Sequence, residues 1–368
     1  VAYATVRDIE APSADRREVR ADPLCGGCVY AHIAYPRQLE LKADIVADAL
    51  ARIGGITLPS RIAVAPSPED GYRMRARLHV NGRALGFFRE GTHEICEPAQ
   101  TRQLLPSTLD VLGRMTSALA SPGLGAVHGI ELAENGEASE RVLYLDASEP
   151  IDRRLLDELG DGGGLTGVST REEVCGSAVV YDTVGAPGAR VRLRRHVRVF
   201  FQGNRYLLED LVAHVLARVV RGRGLIDLYA GVGLFSVTAA AALGTRVWAV
   251  EGDRLAADDL RANAAEAGGA FEVVNRSVEE FVTRSSHEGP IGTVVVDPPR
   301  TGLSREAVDG IVRIGAPRLV SVSCDVATFA RDARRFLDGG YTLTDLHGFD
   351  LFPNTPHVET VAVFERPS

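Results

Sequence analysis

The sequence predicts an α/β protein: a doubly wound, mainly parallel sheet with an antiparallel edge strand, preceded by a smaller α+β domain. Three observations carry this expectation. Short, almost wholly apolar runs come after Phe200, and stretches of helical periodicity separate them. Glycines gather directly after the first of these runs, where a doubly wound sheet needs a tight turn into its first helix. Two final strand-like runs then succeed each other with no helix between them.

Taken in order, residues 1–35 are mixed in character and contain Cys25-Gly26-Gly27-Cys28. From Gln38 to Ile53 the pattern is an amphipathic helix, with Leu39, Leu41, Ile45, Val46, Leu50 and Ile53 apolar and Gly54-Gly55 as the stop. Residues 56–188 read as irregular α+β structure, with surface turns at Asp161-Gly162-Gly163-Gly164 and Gly185-Ala186-Pro187-Gly188. Beyond them, strands are expected at 225–229, 247–250, 271–274, 293–296 and 319–322. Helices fit at 232–243, 254–267, 277–285, 304–315 and 325–337. The last two strands, near 342–348 and 357–365, should pair antiparallel at the sheet edge. The divisions are therefore 1–55, 56–188 and 189–368, with no internal repeat.

At 368 residues the chain is long enough for two domains. Its composition, 45% hydrophobic and 24% charged, is that of a globular protein, and no apolar run approaches the roughly 18 residues of a membrane span. The start has neither a basic n-region nor an apolar h-region, so no signal peptide is expected, and without an initiator Met there is room for residues upstream. Five scattered cysteines argue against a disulfide framework and for a reducing, cytoplasmic setting. A monomer is the default expectation.

The net charge of -8 alone argues against nucleic acid as a partner. Two locally basic segments qualify that. Residues 71–79 carry Arg73, Arg75 and Arg77, and residues 190–198 carry Arg190, Arg192, Arg194, Arg195 and Arg198. Both alternate at about period two, which on a strand lines most guanidinium groups along one face. That face is either simply solvated or tracks phosphates.

Asp227-Leu228-Tyr229-Ala230-Gly231-Val232-Gly233 closes the first strand of the sheet, where glycines let the backbone approach a ligand. A tight turn would use the same residues for structure alone. The acid Glu251, at the end of the next strand, falls where a ribose diol is held. The third glycine of a dinucleotide fingerprint is absent. The pattern resembles the arrangement that binds S-adenosylmethionine.

Three further motifs fall at strand ends. Asp297-Pro298-Pro299-Arg300-Thr301-Gly302 closes the fourth strand, and its prolines stiffen a flat pocket wall. Ser323-Cys324-Asp325 closes the fifth, placing Cys324 at a helix N-terminus, which is expected to lower its thiol pKa. A buried Cys used as a small hydrophobe is the plainer alternative. Phe352-Pro353-Asn354-Thr355-Pro356-His357-Val358-Glu359 leads into the last strand, where Glu359 is otherwise only a charge at a strand end.

Together these motifs resemble the bacterial RNA 5-methyluridine (uracil-C5) methyltransferases that act on tRNA and rRNA. Phe200-Phe201-Gln202-Gly203-Asn204, Tyr72-Arg73-Met74-Arg75 and the Cys25–Cys28 box are similar to further segments of that family. The resemblance implies the class I methyltransferase fold, S-adenosylmethionine as cofactor and an RNA substrate. It implies Cys324 as a nucleophile that adds to carbon 6 and Glu359 as the base that removes the carbon 5 proton. It places Gln202, Tyr229, Gly231, Gly233, Glu251 and Asp297 around the cofactor and base. Ser277 stands where the family often has an Asn that contacts the cofactor. The rRNA branch is favoured over the tRNA branch by the Cys-Gly-Gly-Cys box.

That branch holds an iron–sulfur cluster on four cysteines. Only Cys25 and Cys28 match; no Cys precedes them, and the fourth place falls near Thr101. No metal ligand set is therefore assigned. Many members carry a small β-barrel at the N-terminus; either residues 1–6 form its last strand or that domain is missing here. Two other functions remain on the sequence alone: methylation of another nucleic-acid atom without a Cys nucleophile, or RNA binding by a protein with a degenerate cofactor site.

Overall fold

A computed structural model describes residues 8–186, 188–284 and 289–366. The proposed barrel strand at 1–6 lies outside the described residues, as do Pro187 of the second Gly-rich turn and Ser285 of the expected helix at 277–285.

Helix α1 (Tyr35–Ala49) begins with Pro36 in its first turn and widens into a π-helical turn at Leu50–Gly54, which Gly55 ends in the left-handed conformation. Its inward face is not the one its apolar residues describe. Gln38, Lys42, Ala43, Val46 and Ala49 are buried, while Leu39, Leu41 and Ile45 are half-buried and Ile53 is 50% exposed. Polar partners near residues 350–354 decide this face.

The two residues of β1 (Val64–Ala65) leave the central region to extend the C-terminal sheet. The central domain then runs β2 (Arg75–Asn81), β3 (Ala84–Phe88), β4 (Ile95–Cys96), α2 (Pro106–Ala118), β5 (Val127–Glu134), β6 (Arg141–Ala147), α3 (Arg153–Asp161), β7 (Gly167–Ser169) and β8 (Val174–Gly176). Its sheet has the order β4-β3-β2-β5-β6-β7-β8. Alternation along β2 sends Ala76 and Leu78 into a core with Val111, Leu112 and Met115 of α2 and Leu156 of α3. Arg75, Arg77 and His79 point to the opposite face.

A hairpin of β9 (Val179–Ala186) and β10 (Ala189–His196) comes next, paired over its full length. The division expected between 188 and 189 falls in its turn. The hairpin's Val184, Val191 and Leu193 lie in the core of the larger, C-terminal domain, so both strands are part of that domain.

The same domain contains α4 (Leu208–Leu216), β11 (Gly224–Leu228), α5 (Leu234–Leu243), β12 (Val247–Glu251), α6 (Arg254–Ala267), β13 (Phe271–Asn275), α7 (Val278–Arg284), β14 (Ile291–Val296), α8 (Arg305–Ile314), β15 (Arg318–Ser323), α9 (Val326–Asp338), β16 (Thr342–Phe349) and β17 (Glu359–Glu365). Every expected strand and helix is present within a few residues, and α4 is an addition. The sheet order is β1-β16-β17-β15-β14-β11-β12-β13. The last two strands do pair antiparallel, but β17 inserts between β15 and β16 instead of lying at the edge, which β1 occupies. Two apolar clusters cover the two faces, and β11 and β14 are buried along their whole length. Among the described residues, no helix is long and apolar enough to cross a membrane.

Candidate active site

Parallel neighbours β12, β11, β14 and β15 end on one edge of the sheet, and the loops after them carry the glycine turn, Glu251, Asp297 and Cys324. Because β17 runs the other way, its first residue lies on that same edge. Ser323 pairs with Thr360 in the β15–β17 ladder, so one step further Cys324 and Glu359 face each other.

The loop after β11 turns through three left-handed residues, Tyr229, Gly231 and Gly233. Its two glycines serve different ends. A Cβ on Gly233 would lie 2.5 Å from Cγ2 of Val237 and 2.7 Å from Cδ1 of Leu260, so that glycine serves packing. A Cβ on Gly231 would meet nothing within 4 Å, which leaves open space beside the loop. Glu251 closes the turn: Oε2 accepts from the Gly231 N–H at 2.8 Å and Oε1 from the Asp253 N–H at 2.7 Å. Asp227 is buried, and its Oδ2 accepts from the Ser236 N–H at 3.0 Å while Oδ1 has no partner. Burial raises its carboxyl to about 7. An unpartnered acid oxygen, an open glycine and an acid with spare lone pairs fit a cofactor that brings its own donors.

Ser277 is exposed, and its Oγ accepts from the Glu280 N–H at 3.2 Å as a cap for α7. The nearby amide on β13 is Asn275, whose Nδ2 donates to the Glu251 carbonyl at 2.8 Å. The sequence reading did not single out Asn275, although its place at the end of the third strand is a usable signal.

Gln202 is buried and its Nε2 donates to Oδ2 of Asp297 at 3.2 Å, joining the loop before α4 to the end of β14. Burial raises the Asp297 carboxyl to about 7. Glu359 is 2% exposed, and burial, then the Asp297 charge, push its carboxyl well above the usual range against the opposing pull of Arg300. Its Oε1 has no partner.

Cys324 departs from expectation. Burial, Glu359 and Asp297 push its thiol up to about 11, and Arg300 only partly offsets them. The helix N-terminus does not rescue it, because Asp325 caps α9 and takes the N–H groups of Ala327 and Thr328 at 3.1 and 2.9 Å. The free protein at neutral pH therefore carries Cys324 as a thiol. Arg300 favours the ionised form of both Cys324 and Glu359, a role that its motif alone did not suggest.

The other predicted segments also converge. Met74 N–H bonds to the Gly203 carbonyl and Arg205 N–H to that of Tyr72, each at 2.9 Å, so residues 72–75 run against the Phe200–Asn204 box. Most of the arginines expected on a free face have protein partners. Arg75 meets Glu131 at 3.2 Å, Arg194 pairs with Asp259, and Arg195 is buried against Asp182. Arg192 and Arg198 lie over the rings of Tyr181 and Tyr144. Arg77 remains 61% exposed along its side chain, 3.7 Å from Asp146.

Cys25, Cys28 and Cys96 are all buried, and the neighbouring Cys28 and Cys96 lower the pKa of the Cys25 thiol. Cys96 was not expected there; β4 pairs with β3, which passes Cys25 at Arg89. In the remaining place Cys28 donates to the Thr101 carbonyl at 3.6 Å. Three thiols and a threonine do not fit a four-cysteine iron–sulfur cluster. Among the described residues, no group of His, Cys, Asp or Glu is arranged to hold a metal ion.

The family model for tRNA (uracil-5-)-methyltransferase matches residues 168–367, more than half of the chain. The chain belongs to this family. A tRNA (uracil-5-)-methyltransferase family member of this kind is an enzyme that methylates RNA at uracil C5, with S-adenosylmethionine as cofactor. An uncharacterized RNA methyltransferase of Streptomyces coelicolor is 31% identical over 96% of this chain and 80% of its own length. The 23S rRNA (uracil(1939)-C(5))-methyltransferase RlmD of Alkalilimnicola ehrlichii is 30% identical over 100% of this chain and 86% of its own. Among solved structures, Pyrococcus abyssi tRNA (uracil-54, C5)-methyltransferase in complex with S-adenosyl-L-homocysteine aligns with a TM-score of 0.78 at 26% identity, covering 97% of this chain and 87% of that one. The expected family and the class I methyltransferase fold both hold.

Proposed function

We propose that this enzyme methylates carbon 5 of a uridine through a covalent bond between Cys324 and carbon 6, and that Glu359 removes the proton the methyl group displaces. The observation that carries this reading is the facing of Cys324 and Glu359 across β15 and β17, with Asp297 charged against both.

Carbon 5 of uracil is too weakly nucleophilic to be alkylated directly. Cys324 loses its proton to solvent and adds to carbon 6, which moves the π electrons towards the carbon 4 oxygen and makes carbon 5 enolate-like. S-adenosylmethionine, when bound, supplies the methyl group as an electrophilic sulfonium. Glu359, as carboxylate, then takes the proton from carbon 5. The electron pair restores the carbon 5–carbon 6 double bond, and the thiolate of Cys324 leaves. Burial makes Glu359 a strong base once ionised, and Arg300 favours the ionised form. Gln202 and Asp297 line the base pocket. Tyr229, Gly231 and Glu251, with Asp227, hold the cofactor, Gly233 shapes their loop by packing against Val237 and Leu260, and Ser277 stands at the margin of that site.

The central domain supplies the RNA contact. The sheet face away from α2 and α3 carries Arg75, Arg77 and His79, with His79 stacked on Phe88 at 3.6 Å. Phe200 is 63% exposed, 5.8 Å beneath the guanidinium of Arg75, and next to the Gln202 segment. Exposed rings and guanidinium planes suit stacking on unpaired bases, which favours a loop as target. Similarity to 23S rRNA enzymes at 30–31% identity favours rRNA over tRNA. The five free cysteines suit a cytoplasmic enzyme, which acts as a monomer.

The test is to mix the protein and S-adenosylmethionine with 5-fluorouridine-substituted rRNA and tRNA transcripts. Fluorine cannot leave as a cation, so the reaction should stall as an adduct on Cys324 with rRNA. An adduct with tRNA alone would reassign the substrate. No adduct with either, from protein that binds the cofactor, would refute the covalent route.

A further inference from the structure

We infer that Gln38 and Asn354 form a latch through which the first helix sets the position of Glu359, making both positioning residues for release of the methylated base. The inference rests on Glu359 being the base proposed for the reaction.

The latch is reciprocal. Oε1 of Gln38 accepts from the Asn354 N–H and Nε2 of Gln38 donates to Oδ1 of Asn354, each at 3.0 Å. Arg17 donates to the same Oδ1 at 2.9 Å, and the Tyr30 N–H donates to the Asn354 carbonyl at 2.8 Å. The N-terminal region thus satisfies the backbone N–H, the backbone carbonyl and the side-chain oxygen of one loop residue. Asn354 is held in the left-handed region at φ 65°, which Asn tolerates better than most side chains.

The same helix face continues the attachment. Lys42, one turn beyond Gln38, is fully buried against Asp350 and donates to the Phe352 carbonyl at 3.0 Å. The hydroxyl of Tyr35 donates to Asp350 at 3.0 Å. Positions 35, 38 and 42 therefore grip residues 350, 352 and 354, the loop that leads from β16 to Glu359. This explains why α1 turns polar residues inward while Leu39 and Leu41 stay half exposed. Pairing of β16 with β17 already joins the ends of the loop, at Phe349 and Glu359. Burying a Lys–Asp pair and a Gln beside it is a costly way to close a loop, and such groups repay that cost when they fix one geometry. The geometry at stake is that of the base.

A mispositioned base predicts a particular kinetic signature. Cys324 would still add to the uridine and the methyl would still transfer, but the adduct would resolve slowly. The variants are Gln38→Leu and Asn354→Gly; the second keeps the left-handed backbone and removes only the side-chain acceptor. Asn354→Asp keeps the acceptor and should restore wild-type behaviour. With unmodified RNA and S-adenosylmethionine, the denaturation-resistant protein–RNA adduct and the methylated product are followed in a single turnover. Adduct formation should stay within about threefold of wild type while product release slows by about tenfold or more, the scale expected of a misplacement of ~1 Å or less. Glu359→Gln is the reference and should accumulate the same adduct. If Glu359→Gln accumulates adduct and the latch variants do not, the latch is refuted while the base assignment stands. If Glu359→Gln accumulates none, the base assignment fails and the latch with it. A parallel fall in adduct formation and release in both latch variants would mean a merely structural contact, and would also refute the proposal.

Discussion

Cys324 and Glu359 stand opposite each other one step beyond the Ser323–Thr360 pair, on strands that run in opposite directions. The antiparallel insertion of β17 creates this relationship, since a parallel strand there would begin at the far edge of the sheet. The proposed nucleophile and base are thus held on neighbouring strands of one sheet, with Asp297 at the end of the next strand but one from Glu359.

Removing either partner should therefore fail at a different step. Cys324→Ala is expected to abolish both adduct and methylation, by on the order of 10⁴-fold or more. Glu359→Gln should keep adduct formation and lower turnover by about 10²- to 10⁴-fold. Single-turnover assays with labelled S-adenosylmethionine separate the two, and equal loss of both steps in Glu359→Gln would contradict the assignment.

The raised thiol pKa of Cys324 gives a pH dependence with a definite sign. A thiol titrating near 11 is protonated at neutral pH, so its alkylation by iodoacetamide should rise about tenfold per pH unit from pH 7 to 9 without levelling off. Arg300→Gln removes the opposing cation and should slow alkylation at pH 8. Levelling near pH 7 would mean that the thiol is activated in the free protein.

Asp227 links stability to pH. Its carboxyl titrates near 7 in the fold and near 3.9 when unfolded, so the folded state binds the proton more tightly. Its contribution is full below about pH 4 and is lost as pH rises through about 7. Asp227→Asn should lessen that slope, leaving the share of Asp297 and Glu359, and melt a few degrees higher than wild type at pH 8, while binding S-adenosylmethionine more weakly. Scanning calorimetry from pH 5 to 8 measures the first effect and titration calorimetry the second. An unchanged slope would count against burial as the cause.

The two glycines of the cofactor loop should also separate. Gly233→Ala drives a Cβ into Val237 and Leu260, so lowered melting temperature is expected. Gly231→Ala meets no atom and costs only about 1–2 kcal/mol for its left-handed backbone, but its methyl occupies the open side of the loop. Cofactor affinity should fall with stability nearly kept. Equal loss of stability in both would undo the distinction.

Much of this was legible in the residues themselves. Apolar runs and glycine stops marked β11 to β17 because a strand buried on both faces must be apolar throughout, and motif spacing put Asp297, Cys324 and Glu359 at strand ends. What pairs with what over long separations was not. Gln38 and Lys42 lie some 310 residues from Asn354 and Asp350, and their burial turns the inward face of α1 away from Leu39, Leu41 and Ile45 while Val46 stays buried. Cys96 joins Cys25 only through the pairing of β3 and β4, and Asp259 and Asp182 take up arginines that composition alone left free.

The order of the elements, the place of Asp297, Cys324 and Glu359 along the sheet edge, and the family were all written in the chain. The protonation state of Cys324, the inward face of α1 and the partners of the basic segments had to wait for the packed molecule. Periodicity and turn chemistry act between near neighbours in the chain. Desolvation and the field of nearby charges depend on whatever the fold brings close: Asp297 and Arg300 reach Cys324 from the loop after β14, and Glu359 from β17.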